Sequence, residues 1–242
     1  METERRDLGP LLEKPGSEIA SMFDSIARRY DTLNHLLSAG LDRRWRARAV
    51  RELRLGGTER VLDVCTGTGD LGVALVKGGA RDVVGIDFAH EMLKIGLAKA
   101  RSAPNAGRFH IARGDAMRLP LPDGSMDGAT IGFGIRNVEQ PDAALRELAR
   151  VMKPAGRLVI LEFGVPRIPG IAALYKWYFR AVLPRIGRAI SKHGRAYSYL
   201  PASVERFPAP EAFEGIIRGA GFSKVQAVPL ALGIVYLYIA EV

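Results

Sequence analysis

The chain has one cysteine, Cys65, four histidines and no long uninterrupted hydrophobic run. A single thiol excludes an intramolecular disulfide and any cysteine-based metal centre. His35, His90, His110 and His193 are scattered without ligand spacing, so no metal is expected. The longest uncharged apolar stretch, Val225 to Ala240, is too short for a membrane span and contains Pro229 and Gly233; it reads as two strands around a turn. The N-terminal residues Met-Glu-Thr-Glu-Arg-Arg-Asp lack the apolar centre of a signal peptide. The expectation is a cytoplasmic protein that touches the inner face of a membrane without crossing it.

Acidic residues are missing from one whole stretch. Between Glu162 and Glu205 there is none, while Arg167, Lys176, Arg180, Arg185, Arg188, Lys192 and Arg195 alternate with Tyr175, Trp177, Tyr178 and Phe179. Cations beside aromatics suit an anionic bilayer surface. The same pattern fits a solvated helix face or a nucleic-acid contact. The net charge of +9 has the same three readings; the membrane surface is preferred and no nucleic acid is expected. A homodimer stays open.

What is present is an α/β alternation. Residues 1–16 are polar and carry Pro10, Pro15 and Gly16, and read as a flexible terminus. One domain is expected over 17–242. Ser17 is placed to cap a helix from Glu18 to Tyr30, with short helices at 32–38 and 42–53. Strands are expected at 60–65, 82–87, 108–112, 126–133, 156–162, 222–228 and 233–241, and helices at 70–78, 90–101, 140–152 and 210–220. A mostly helical insertion spans 168–195. The near-continuous apolar strands predict a doubly wound, mostly parallel seven-stranded sheet, with its site at the strands' C-terminal edge.

The stretch Arg60-Val-Leu-Asp-Val-Cys-Thr-Gly-Thr-Gly-Asp70 is the strongest signal: a buried strand breaking into a glycine loop that opens a helix. Gly67 and Gly69 let a ligand approach the backbone. With Gly72 they fit the literal dinucleotide pattern, so an NAD-type cofactor is one reading. Asp63 and Asp70 weigh against it, since two carboxylates would repel a pyrophosphate at a helix N-terminus. They suit the ammonium and sulfonium of S-adenosylmethionine. Asp70 has a plainer reading, an acid complementing the helix dipole. Asp87, ending the next strand, is placed to accept ribose hydroxyls. Asp115 either reaches an adenine amino group or caps a turn. Arg136 and Asn137 end the fourth strand where cofactor and substrate should meet. Arg136 either faces a substrate oxyanion or sits in a structural ion pair.

These residues carry a resemblance. Tyr30-Asp-Thr-Leu-Asn34 with Ser38 and Trp45, Phe133-Gly-Ile-Arg-Asn-Val138, Arg150 to Phe163, Leu183-Pro-Arg-Ile-Gly187 and Tyr197-Ser-Tyr-Leu-Pro201 resemble the signatures of the menaquinone/ubiquinone biosynthesis C-methyltransferases over about residues 20 to 242. The family commonly has His where Arg43 stands and Ser where Gly164 stands. The resemblance implies a class I fold and transfer of a methyl from S-adenosylmethionine to a ring carbon of a polyprenylated quinol. Demethylmenaquinol is preferred over a benzoquinol. It sets the cofactor against Thr68, Asp87, Asp115 and Ala116. It makes Arg136 the phenolate partner and Asn137 the group that orients the ring. Tyr30, Asn34, His193 and Tyr197 then become candidates for substrate contact or proton relay. A non-catalytic S-adenosylmethionine- or RNA-binding module is the rival from another class; it would need no Arg136.

Overall fold

The computed structural model describes residues 13, 15–103, 107–178, 181 and 194–242. The expected apolar runs form one seven-stranded sheet. Strands β1 (Arg60–Val64), β2 (Asp82–Asp87), β3 (Phe109–Arg113), β4 (Met126–Gly132) and β5 (Met152–Phe163) are parallel, and β6 (Ser223–Leu230) and β7 (Val235–Glu241) are antiparallel at one edge, in the order β3-β2-β1-β4-β5-β7-β6. β1 pairs on one side with β2 (Val61 opposite Val83) and on the other with β4 (Val61 opposite Gly128). The chain winds outward in opposite directions from β1 and β4, so a crevice opens above their C-terminal ends.

Alternating side chains fill the space on both faces. In β5, Leu158 and Ile160 enter one cluster while Val159 and Leu161 enter the other; in β7, Tyr236 and Tyr238 part from Val235 and Leu237 in the same way. α5 (Pro141–Val151) covers the first face with Ala144, Leu145, Leu148 and Val151, a helical spacing of wholly buried residues. α8 (Pro210–Gly219) joins it through Phe213 and Ile217. α2 (Leu41–Glu52), α3 (Asp70–Lys77) and α4 (His90–Ser102) contribute to the second cluster through Trp45, Leu75 and Ala100.

α1 (Gly16–Leu37) forms a third cluster. Its Ile19, Met22 and Ile26 meet Met92 of α4 and Tyr199 of α7 (Gly194–Arg206). Two expectations are corrected here. The helix starts at Gly16 with Pro15 in the capping position, so Ser17 lies inside the first turn and caps nothing. The expected break near residue 31 is absent, and one helix runs through. No Gly or Pro interrupts it there, and the Asp31 side chain bonds Thr68 and Lys99 instead of turning its own backbone. Of the expected insertion, α6 (Pro169–Trp177) and the start of α7 are described, while 179–180 and 182–193 lie outside the described residues. α7 continues past 195 and accommodates Pro201. Among the described residues no helix is long and apolar enough to cross a membrane.

Candidate active site

The loop after β1 turns through left-handed Cys65 (φ 55°), Gly67 (φ 55°) and Gly69 (φ 80°) before α3 begins. Glycine holds such angles freely; Cys65 holds one at a cost of about 1–3 kcal/mol. Asp63 supports this turn from behind. Its two carboxylate oxygens accept the hydroxyls of Thr66 (2.6 Å) and Thr130 (2.7 Å). Burial pushes its pKa up to about 6 against those two bonds. The Thr68 hydroxyl donates to Asp31 of α1 at 2.5 Å. A Cβ on Gly69 would meet Phe109 at 3.0 Å, and one on Gly72 would overlap that ring at 2.1 Å. The third glycine therefore lets α3 pack against β3.

A cavity of ≈300 Å³ lies above the C-terminal ends of β1, β2 and β4. Gly67, Asp87, Asp115, Ala116, Asn137 and Glu139 are among its walls, and α1 closes it with Phe23 and Tyr30. Asp87 accepts the amides of Gly67 and Ala89, both at 2.8 Å, yet burial raises its pKa. Asp115 accepts the Met117 amide at 2.9 Å in a tight turn, as its turn-capping reading expects, and it is also a wall of the cavity. Among the described residues no Lys, Arg or His belongs to these walls. Three carboxylates without a cation disfavour a pyrophosphate and suit a ligand with cationic ends. S-adenosylmethionine meets that requirement; a nicotinamide dinucleotide does not.

The carboxylates on these walls are not all the expected ones. Asp63 is 1% exposed and, like Thr68 and Gly69, is not a wall of the cavity; all three shape the loop. Asp70 accepts Lys99 Nζ at 2.5 Å, with Arg46 at 3.5 Å, and lines a different cleft. Asp63 and Asp70 are therefore not walls of this cavity, whereas Asp87, Asp115 and Glu139 are. Glu139 carried no motif that could have marked it.

A second cavity, ≈330 Å³, shares the walls Phe23, Tyr30 and Phe133 with the first. It is mostly apolar. Phe133 stacks on Phe163 with ring centroids 4.6 Å apart, and Trp45 lies 6.2 Å from Phe133. Tyr30 and Asn34, both expected at the substrate, are walls and hydrogen-bond each other. Burial raises the Tyr30 pKa, while the Arg136 charge and the Asn34 bond oppose the rise. Phe133 is itself left-handed (φ 59°). The chain is bent at the point where the two cavities meet.

Arg136 forms the structural ion pair that one of its two sequence readings expects. It is 5% exposed and walls the second cavity. It also donates from one terminal nitrogen to Glu162 (2.7 Å) and to the Phe133 carbonyl (2.5 Å), while its backbone amide reaches Glu162 at 3.2 Å. Its Nε is buried without a hydrogen-bond partner. Burial opposes the charge, but Glu162, then Tyr30 and Tyr199, hold the guanidinium pKa above its ordinary value. Asn137 is a wall of the first cavity and accepts the Tyr199 hydroxyl at 3.1 Å. His193 lies outside the described residues, as does the side chain of Tyr197. The aromatic seen at the site is Tyr199, two residues on, which shares a helical face with Ser203. Glu162 and Phe163 stood in a quoted signature without a role.

His35, Asp42 and Asp70 bring one ligand atom each to within 4.8 Å of one another. Arg46 bonds Asp42 and Lys99 bonds Asp70, so cations of the chain already neutralise that cluster. At Gly164 a Cβ would lie 2.6 Å from the Tyr236 ring, which fills that space.

A model of the ubiE/COQ5 methyltransferase family matches residues 13–241. The ubiquinone/menaquinone biosynthesis C-methyltransferase UbiE of Syntrophotalea carbinolica is 49% identical over 226 residues, 93% of this chain and 94% of that protein. The demethylmenaquinone methyltransferase of Thermus thermophilus is 47% identical over 221 residues, 91% of this chain and 99% of that one. A SAM-dependent methyltransferase of Thermotoga maritima superposes with a TM-score of 0.64 at 20% identity, covering 91% of this chain and 98% of that one. At that identity the likeness is one of fold.

Proposed function

The chain belongs to the ubiE/COQ5 methyltransferase family, and from that membership we propose that it uses S-adenosylmethionine to methylate a ring carbon of a polyprenylated quinol, demethylmenaquinol before a benzoquinol. One observation carries the reading: a cavity walled by carboxylates meets a cavity walled by aromatics across Phe23, Tyr30 and Phe133. A cationic methyl donor and a flat electron-rich ring then approach each other through one opening. S-adenosylmethionine, when bound, supplies an electrophilic methyl on a sulfonium.

The residues divide the remaining work. Asp87 offers carboxylate oxygens to the ribose hydroxyls, with Asp115 and Ala116 beside the base. Trp45, Phe133 and Phe163 hold the quinol ring by stacking. Arg136, a wall of the aromatic cavity held in place by Glu162, stabilises the phenolate that pushes electron density onto the adjacent ring carbon. Asn137, fixed by Tyr199, orients the pair. Apolar walls exclude water and favour methyl transfer to carbon over solvolysis. A polyprenylated substrate resides in lipid, so an anionic membrane surface is the partner.

The test is mass spectrometry of quinols after incubation with S-adenosylmethionine and chemically reduced demethylmenaquinone in detergent. A methylated menaquinol is expected. A reduced 2-methoxy-6-polyprenyl-benzoquinone run in parallel resolves the ring preference. No methylated product from either quinol, with cofactor binding demonstrated, would overturn the reading. Arg136→Ala is expected to keep cofactor affinity and lose turnover.

A further inference from the structure

The aromatic cavity holds one carboxylate that the proposed chemistry leaves unused. Asp42, the second residue of α2, is 3% exposed and is the only acid among the described walls. Ser38, in the α1–α2 turn, is another wall. Its hydroxyl donates to Asp42 Oδ1 at 2.8 Å. The other oxygen, Oδ2, accepts His35 Nδ1 at 2.7 Å and a guanidinium nitrogen of Arg46. Burial works against the charge of Asp42, yet the Ser38 hydroxyl, Arg46 and His35 hold its pKa below the ordinary carboxylate value. Asp42 is therefore an anion, and an ionised carboxylate only accepts.

Ser38 and Asp42 have no hydrogen left to give through their side chains. The one hydrogen of Ser38 goes to Asp42; the alternative acceptor, the His35 carbonyl at 3.3 Å, would engage the same hydrogen. Acceptor capacity remains. A carboxylate offers about four acceptor positions and a hydroxyl about two. Oδ2 has two of these partners and Oδ1 one, while Ser38 Oγ accepts only the Asp42 amide, at a long 3.5 Å. Oγ and Oδ1 thus make an acceptor pair 2.8 Å apart on two wall residues of the cavity. Arg46, also a wall, directs its guanidinium to Asp42 and, at 3.5 Å, to Asp70.

We propose that Ser38 and Asp42 receive the quinol hydroxyl that does not ionise, and that they make the site select the reduced ring over the oxidised one. The inference rests on the quinol reading above. A quinol carries two hydroxyls across its ring. Only ionisation of the one beside the carbon to be methylated puts charge on that carbon. Arg136, a cation, favours the ionised hydroxyl, and Asp42, an anion, keeps the other protonated. Opposite charges on two walls, one following β4 and one on α2, tell the two hydroxyls apart. A quinone has two carbonyl oxygens and no hydrogen to give. Against Oγ and Oδ1 its carbonyl meets lone pairs alone, and a site built to receive a hydroxyl rejects the analogue that lacks it. The oxidised ring, which is not nucleophilic, is thereby kept from occupying the cavity.

Trp45 is a wall, so quenching of tryptophan emission reports ring binding. The test titrates the full chain with demethylmenaquinol carrying one prenyl unit, kept reduced without oxygen, and separately with its quinone. S-adenosylhomocysteine replaces the methyl donor, so nothing turns over. Wild type is expected to bind the quinol about 10- to 150-fold more tightly than the quinone, the range for a hydrogen bond to a charged group. Asp42→Asn supplies an NH₂ that can turn to a carbonyl, and the ratio should fall toward one chiefly because the quinone binds more tightly. Ser38→Ala leaves Asp42 with His35 and Arg46, and should lower the ratio by weakening the quinol. A merely structural role would weaken both forms alike and leave the ratio unchanged in both variants; that result, or equal affinities in wild type, overturns the proposal. Should Asp42→Asn fail to fold, Ser38→Ala decides alone. Failure of the quinol reading looks different: wild type would not methylate the one-prenyl quinol once S-adenosylmethionine is restored.

Discussion

Replacing Glu162 by Gln changes one oxygen for one nitrogen and removes the only carboxylate among the described residues that faces Arg136 at hydrogen-bond distance. Glu162 is fully buried and accepts three N–H groups: Arg136 from its side chain at 2.7 Å, the Arg136 amide at 3.2 Å and the Phe163 amide at 2.8 Å. A glutamine can keep its oxygen toward the first and third only by setting its NH₂ against the second. Arg136 would retain the Phe133 carbonyl and the face of Phe163, 5.4 Å away, but no counter-charge. Breaking a buried pair from one side costs about 3–5 kcal/mol, because the surviving charge stays desolvated. Against a typical total of about 5–15 kcal/mol, that is a large share. Urea unfolding followed by circular dichroism should show the loss as a lower midpoint at unchanged slope. The double variant Arg136→Met, Glu162→Gln should be less destabilised than Glu162→Gln alone, since no orphan charge remains. A loss below about 1 kcal/mol for Glu162→Gln would refute the view that this carboxylate holds the guanidinium in place.

Asp63 gives a pH signature. Its folded pKa of about 6 stands above the ordinary 3.8, so the folded protein holds this proton more tightly than the unfolded chain. The stabilisation is complete below about 3.8 and is lost as pH rises to about 6, a change of roughly 3 kcal/mol. The stability of Asp63→Asn relative to wild type should therefore improve across that window in paired unfolding curves; a flat difference contradicts the assignment. Gly72→Ala should destabilise by about 1–3 kcal/mol through overlap with Phe109, and Phe109→Leu should relieve part of it in thermal melts. Asp87→Ala should weaken S-adenosylmethionine binding by about 10- to 150-fold in calorimetry, the worth of a hydrogen bond to a charged group. An unchanged affinity would remove Asp87 from the cofactor contacts.

The sheet was legible because most strands are short apolar runs bounded by Gly, Asp or Asn. The cofactor class was legible too, although two of the acids that pointed to it are not walls of the cavity. Asp63 and Asp70 stand where linear spacing puts carboxylates near a ligand. Alternation then sends Asp63 behind the loop to Thr66 and Thr130, and Lys99, a residue of α4, draws Asp70 outward. Spacing gives distance along the chain; the direction of a side chain depends on which element lies opposite. The same limit governs Tyr197 and Tyr199, where the quoted motif offered two tyrosines and only the second is seen to reach Asn137. Glu162 was invisible for another reason: a buried acid in an apolar strand has no meaning until its cation, 26 residues away, is placed beside it.

One consequence of the fold concerns both ligands together. α1 gives Phe23 and Tyr30 to both cavities, so whatever anchors α1 governs both. Beside the apolar cluster that packs α1 against α4 and α7, one ionic contact ties it to the glycine loop. Asp31 accepts the Thr68 hydroxyl of the glycine loop at 2.5 Å and Lys99 of α4 at 2.6 Å, and Lys99 continues to Asp70. Asp31 is about a quarter exposed, so solvent screens part of its attraction. Its removal should cost about 1–2 kcal/mol, below the full range for charge-assisted hydrogen bonds. Asp31→Ala should therefore remain folded while the helix opens more often, and opening should speed release of whatever lies beneath it. Stopped-flow measurement of S-adenosylmethionine dissociation should show a faster off-rate with little change in on-rate, and the Michaelis constant for quinol should rise with it. A variant that loses about 1–2 kcal/mol of stability but releases cofactor at the wild-type rate would mean that the ligand leaves by a path that does not pass α1.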